Sequence, residues 1–341
     1  MKFGFIPTEG GNYYREFIEE ALYGEELGFD SIWLEEHHGV KNHYWPSPLM
    51  GLAGLATRTE RILLGTDIMI LPFYHPVRAA EDGAMLDIMS GGRFIFGAAI
   101  GYRPNEFSLY QVALEKRGER YEEAIALIKQ LWTQEEVNFE GKYFQVIGAK
   151  IEPRPISKPR PRIWLGGWGK LSLSRAARLG DAWVPGPTAS LEKLLEAQSF
   201  YQAQLTAAGI PVESRERPLT REVVIANTDQ QAFELAEKHL LVSYRDEYAT
   251  GQWQHPLIGK EDSTPIATID SINRDRFIIG SPETVIKQIQ HFSASFHMDH
   301  LICRLYFPGM PHAYIMEEMK LLAHEVIPAF AKQEAVEQTI L

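Results

Sequence analysis

The sequence predicts an α/β protein of the (β/α)8, or TIM-barrel, class, and three observations carry that reading. Eight short β-type runs alternate with amphipathic helical stretches from one end of the 341 residues to the other. Most runs are continuously apolar, the pattern of strands covered on both faces in a parallel sheet. The first run leads into Pro7 and TEGGNYY, not the GxGxxG turn that opens a doubly wound dinucleotide fold.

In chain order the expected strands are Lys2–Pro7, Ser31–Glu36, Ile62–Leu71, Phe94–Ala99, Arg162–Gly166, Ala182–Val184, Glu222–Ala226 and Leu301–Tyr306. Between the first two, Arg15–Leu27 places Phe17, Ile18, Ala21 and Leu22 near helical spacing, and Gly28 supplies a stop signal. Ala124, Leu127, Ile128 and Leu131 repeat the pattern after Arg117. Pro153–Pro161 is a stiff proline-rich connector, too short to link domains. Tyr248–Asp275 lacks periodicity and contains Gly251, Pro256, Gly259 and Pro265, so it reads as a lid between the seventh strand and the following helix. Residues 1–330 are expected to form one barrel domain, with 331–341 as a tail.

Apolar residues make up 45% and charged residues 23%, enough for a large core. With 34 basic and 45 acidic residues the net charge is −11, which repels phosphate backbones and anionic lipid, so neither nucleic acid nor membrane is an expected partner. A single cysteine, Cys303, and an N-terminus without a signal-peptide pattern fit a reducing cytoplasmic setting.

Active sites of such barrels lie at the C-terminal ends of the strands. The second strand ends in Glu36, His37 and His38, and imidazole titrates near neutral pH, which suits proton transfer or the steadying of an anion. Capping of the strand end accounts for a histidine pair equally well. No HExxH or HxH pattern is present, so no metal site is expected. After the fifth strand, Gly166, Gly167, Trp168 and Gly169 precede a helix beginning near Lys170, an arrangement that either holds an anion on backbone N–H groups or forms a plain tight turn. Phe5, Trp45, Phe73, Phe107, Trp183 and Trp253 fall near strand ends or the lid and would together line an apolar substrate pocket.

WLEEHH at the second strand, GTDIMILPFYHPVRAAEDGAMLDIMSGGRFIFG across the third and fourth, PRIWLGG and SRAARLGD at the fifth, and GSPETVIKQI near Gly280 together resemble the bacterial luciferase-like flavin-dependent monooxygenases. The resemblance spans about residues 1–330. It implies a barrel that binds FMN, reduced by a separate flavin reductase, with O2 giving a flavin C4a-hydroperoxide that oxygenates an apolar substrate such as an aldehyde. His37 matches the family's catalytic histidine, with Glu36 and His38 beside it. Asp67–Ile68 matches a non-proline cis peptide beneath the flavin ring, and Gly166–Lys170 matches the FMN phosphate turn. Ala99 and Ile100 replace the reactive Cys and phosphate-binding Arg of luciferase, leaving Arg103, Arg117 or Arg120 as substitutes, and Gly167 and Trp168 replace its acidic residue and Ser. The resemblance also implies a homodimer through the helices near Ser47–Thr57 and Pro76–Met89. Two other activities share the superfamily: a deazaflavin-dependent reductase or dehydrogenase, and a non-catalytic flavin-binding protein.

Overall fold

The computed structural model describes residues 1–41, 43–245, 268–273 and 275–330. Its strands are β1 (Lys2–Ile6), β2 (Ser31–Leu34), β3 (Leu63–Thr66), β4 (Met69–Ile70), β5 (Phe94–Ala99), β6 (Val137–Glu140), β7 (Gln145–Ala149), β8 (Arg162–Gly166), β9 (Ala182–Val184), β10 (Pro218–Ile225), β11 (Ile278–Gly280) and β12 (His300–Arg304). Nine form a curled parallel sheet in the order β11-β10-β12-β1-β2-β3-β5-β8-β9, with β4 paired to β5. The registers are parallel throughout, as in Phe5 opposite Cys303 and Ile32, and Val184 opposite Gly166. An isolated parallel bridge from Ala182 to Glu216 joins the start of β9 to the approach to β10.

The apolar runs explain these strands. β2, β10 and β12 are buried along their whole lengths, with helices on the outer face and side chains filling the inner one. Helix Tyr14–Leu27 buries Phe17 and Ala21 and stops at Gly28, whose φ of 88° lies in the left-handed region. Inside the curl, Trp33 and Trp164 stack with centroids 4.7 Å apart, and His300 meets both rings edge-on. The stack needs Gly65, since a Cβ there would lie 2.2 Å from Trp33. Ser31 Oγ ties the plug together, accepting from Trp33 Nε1 at 2.6 Å and lying 2.7 Å from His300 Nε2. This plug closes one end of the interior and leaves the C-terminal strand ends open.

Several expected elements need correction. The third strand divides into β3 and β4 at Asp67–Ile68, a cis peptide. The seventh begins earlier, at Pro218, where proline sits as the first strand residue. β11 and the antiparallel β6–β7 hairpin were too short or too exposed to stand out as apolar runs. The expected lid does not directly follow the seventh strand: helix Asp229–Leu235 and the turns to Tyr244 come first. Within it, Ile269–Ile272 is a short helix capped by Thr268. Residues 248–267, Trp253 included, lie outside the described residues.

Candidate active site

A cavity of about 680 Å³ opens where six strands end. Glu35, Glu36 and His37 reach it after β2, Asp67 and Ile68 after β3, Ala99 at the end of β5, Gly166 at the end of β8, Val184 at the end of β9 and Arg304 at the end of β12.

His37 and His38 diverge, as consecutive residues at a strand end do. His37 faces the cavity, between Tyr44 (ring centroids 4.7 Å apart) and Tyr102 (5.5 Å). Its Nδ1 lies 2.9 Å from Oε1 of Glu106, on helix Pro104–Leu109, and its Nε2 lies 3.4 Å from the Tyr102 hydroxyl. Burial pushes the Glu106 carboxyl up, but hydrogen bonding and charge from His37, and the His38 backbone N–H, outweigh it and hold Glu106 below the usual carboxylate range. An ionised Glu106 only accepts, so the proton sits on Nδ1 and Nε2 is presented to the cavity. His38 is outside the lining: its Nε2 lies 3.0 Å from Glu36 Oε1 and its Nδ1 3.0 Å from the Tyr110 hydroxyl. Glu36 also accepts from Tyr74 (2.8 Å) and from Ile70 N–H (2.6 Å), so it braces the β2–β4 edge.

The inner end of the cavity is charged. Arg304 forms an ion pair with Glu35 (Nε to Oε2, 2.8 Å) and donates hydrogen bonds to Glu222 through Nη1 (3.4 Å) and to His43 Nε2 (2.7 Å) and the Tyr44 hydroxyl (3.3 Å) through Nη2. Thr220 donates to Asp67, whose carboxyl is nevertheless pushed up to about 7, chiefly by burial. Ligand-type atoms of Glu9, Glu35 and His43 lie within 4.8 Å of one another. The guanidinium of Arg304 already occupies the Glu35 and His43 atoms, so this cluster holds a built-in cation where a metal would have to sit.

At the opposite wall, Gly166–Gly169 leads into helix Lys170–Leu179. Gly167 has φ +128°, and a Cβ there would lie 2.6 Å from Ser172 Cβ. Its carbonyl accepts from Trp183 Nε1 at 2.9 Å. Arg117, Lys170 and Arg175 line this wall with the first turn of the helix, so backbone N–H groups and three cations converge as a phosphate requires. Arg117 is anchored on the Gly101 and Leu114 carbonyls and Arg175 on Glu122. Arg103 is instead buried against Tyr44 and Tyr102, and Arg120 turns to the Pro72 carbonyl. Between the two ends the wall is thin: a Cβ at Gly166 would come within 2.8 Å of Ile68 Cδ1 and 3.6 Å of Ala99 Cβ. Gly166 therefore lets the Ile68 side chain pack against β8 where both line the cavity, and the helix N-terminus and cations suit a flavin-type group with a phosphate tail.

The expected aromatic pocket is not assembled as proposed. Phe5 packs on Phe29 and Trp45 on Phe17 in the outer core, because their strand positions point outward. Phe73 and Phe107 pack with Tyr110 behind His38, and Trp183 supports the glycine turn from behind. The lining aromatics are Tyr44, Tyr102 and Trp168. Sequence reasoning passed over Glu35, Tyr44, Tyr102, Glu106, Arg175 and Arg304. Arg304 lay within an expected strand, near its C-terminal end, and inspection of that end would have found it.

A family profile for luciferase-like monooxygenases matches residues 2–298. The chain is 26% identical over 338 residues to the oxygenase component of a flavin-dependent trigonelline monooxygenase from Acinetobacter baylyi, covering 94% of this chain and 91% of that protein. It is 27% identical over 326 residues to an F420-dependent glucose-6-phosphate dehydrogenase from Amycolatopsis mediterranei, covering 92% and 93%. Among solved structures, the monooxygenase RslO1 from Streptomyces bottropensis superposes with a TM-score of 0.85 at 25% identity, over 97% of this chain and all of that one.

Proposed function

Because the chain belongs to the luciferase-like monooxygenase family, we propose that it is the oxygenase of a two-component FMN-dependent monooxygenase, acting with O2 on an organic substrate. The observation that carries this reading is the single cavity joining His37 to the Gly166–Lys170 turn. The trigonelline monooxygenase component, similar over most of both chains, supports it. We read the curled sheet as a closed (β/α)8 barrel, with the Ala182–Glu216 bridge in support.

Reduced flavin, when bound, would supply the electrons that activate O2. The protein's part is to place and shield it. Arg117, Lys170, Arg175 and the helix N-terminus would hold its phosphate, and the cavity beside Asp67, Ile68 and Ala99 would take its ring. Nε2 of His37, held in one tautomer by Glu106, takes or gives a proton at the reacting face. With the expected aromatic pocket displaced, the substrate is one that sets a polar group against Glu35, Asp67 and Arg304 and its ring or chain against Tyr44 and Tyr102. A flavin reductase supplies the cofactor in this reading, and the exposed Met50, Met85 and Met89 on helices Pro48–Ala56 and Pro76–Met89 support a homodimer face.

The similarity to the F420-dependent dehydrogenase favours one second reading, hydride transfer to a deazaflavin without O2. One experiment separates them: the purified protein is mixed with FMNH2 or with reduced deazaflavin in air, and O2 consumption and the cofactor spectrum are followed. Oxygen uptake with a long-lived oxidised-flavin precursor supports the first reading. Tight binding of deazaflavin alone, with no uptake, replaces it.

A further inference from the structure

We propose that Glu9 and Glu35 share a single proton and that this pair, through Glu35, is a proton donor to the group bound at the inner end of the cavity. Glu9 follows β1 and is fully buried, whereas Glu35 follows β2 and lines the cavity. The Glu35 backbone N–H donates to Glu9 Oε1 at 3.0 Å, and carboxyl oxygens of the two residues lie within 4.8 Å of one another. Two carboxylates in that contact do not both ionise.

The surroundings decide which one keeps the proton. Arg304 Nε forms an ion pair with Glu35 Oε2 at 2.8 Å, so Glu35 has the cation. Glu9 Oε2 has no hydrogen-bond partner among the described residues and lies 3.6 Å from His43 Nε2. That nitrogen accepts from Arg304 at 2.7 Å, so the imidazole is neutral and offers Glu9 no charge. Burial and the Glu35 charge both push the Glu9 carboxyl well up. The other titratable groups facing the pair are Asp67, Glu222, Tyr44, Tyr306 and, beyond Thr8, Glu20. In the transfer, the Glu9 O–H breaks as its proton passes to Glu35, and the Glu35 O–H so formed breaks as an O–H or N–H forms on an anionic atom of the ligand. Both carboxylates are then ionised until solvent returns one proton when the cavity reopens. Only the identity of the acceptor rests on the function proposed above.

The test uses the full-length chain in two arms. In cofactor-free protein, infrared titration above the pH at which Asp67 and Glu222 ionise (each about 7) should leave two carboxylic-acid C=O bands, those of Glu9 and of the buried Glu318. Glu9→Gln should abolish the band that Glu318→Gln leaves in place, and Glu35→Gln should move the titration of that band to lower pH by removing the like charge. Absence of the Glu9 band, or a Glu9 band that Glu35→Gln leaves in place, overturns the sharing. With FMNH2 and O2, or with reduced deazaflavin, whichever the wild type turns over, Glu35→Gln should cut kcat about 10²-fold and remove the alkaline limb of the pH profile. Cofactor affinity should hold, and Glu35→Asp should restore part of the rate. An unchanged profile in Glu35→Gln overturns the donor role. If the wild type turns over neither cofactor, the proposed function fails while the infrared arm still decides the pair.

Discussion

One oxygen of Glu106 holds both halves of the histidine pair: Oε1 lies 2.9 Å from His37 Nδ1 and accepts the His38 backbone N–H at 2.8 Å. The helix carrying Glu106 follows β5, so the orientation of the His37 ring is fixed from a neighbouring strand end.

Replacing His37 by Ala removes the presented Nε2 together with the Nδ1 contact to Glu106. Turnover should fall about 10²–10⁴-fold, the usual share of a general acid–base group, while flavin affinity changes little. Glu106→Gln should lower turnover less and shift its pH dependence, because the amide no longer requires a proton on Nδ1. Steady-state kinetics across pH check both, and a pH profile indifferent to Glu106→Gln would separate that carboxylate from the reaction.

Arg117 and Arg175 line the cavity together with the Gly166–Lys170 turn, in which the proposed function places the flavin phosphate. A charge-assisted hydrogen bond contributes about 1.5–3 kcal/mol, so Arg175→Ala should weaken FMN binding about 10–100-fold and leave riboflavin binding nearly unchanged. Fluorescence titration with the two flavins measures the contrast. Equal losses for both would place Arg175 away from the phosphate.

Most of the strands, and the placing of His37 and of the Gly166–Lys170 turn at strand ends, were legible because each is written in contiguous residues, whereas the cis peptide at Asp67–Ile68 was expected only from the family resemblance. Glu106, Arg175 and Arg304 were not. Glu106 reaches His37 from behind, and Arg175 and Arg304 line the cavity, only because the chain folds them there; of the three, Arg304 alone carried a hint, its place near the end of an expected strand. The aromatics failed for the opposite reason: being near a strand end says nothing about which face a ring takes, and Phe5 and Trp45 took the outer one. β11, three residues long, is recognisable only from its pairing with Val223–Ile225.

Gly167→Ala tests the turn without touching a charge. Its φ of +128° disfavours any L side chain, and the new Cβ would press on Ser172 in the first turn of the helix. The helix N-terminus should shift and FMN affinity should drop at least 10-fold, an effect of roughly 1.4 kcal/mol. Gly11→Ala, where a Cβ also meets nothing within 4 Å and which does not line the cavity, is the control and should bind normally.

Glu222 makes the interior sensitive to pH. Burial pushes its carboxyl from 4.5 up to about 7, against the opposing pull of Arg304 and of the Tyr244 hydroxyl, which donates to Oε2 at 2.6 Å. A raised value means that the folded protein keeps a proton the unfolded chain has already lost. The group's stabilising contribution is therefore complete below the ordinary glutamate range, declines as pH rises towards about 7, and is flat above that. A shift of this size corresponds to at most about 3 kcal/mol. Glu222→Gln keeps the uncharged shape and cannot ionise, so its unfolding free energy should fall less steeply than the wild type's between about pH 5 and about pH 8. Asp67 contributes a slope of the same sign and stays in place in the variant, so some dependence will remain. Urea unfolding at the two pH values gives the comparison. Equal slopes in the two proteins would mean that Glu222 is already ionised in the folded state, with Arg304 as its full counter-charge.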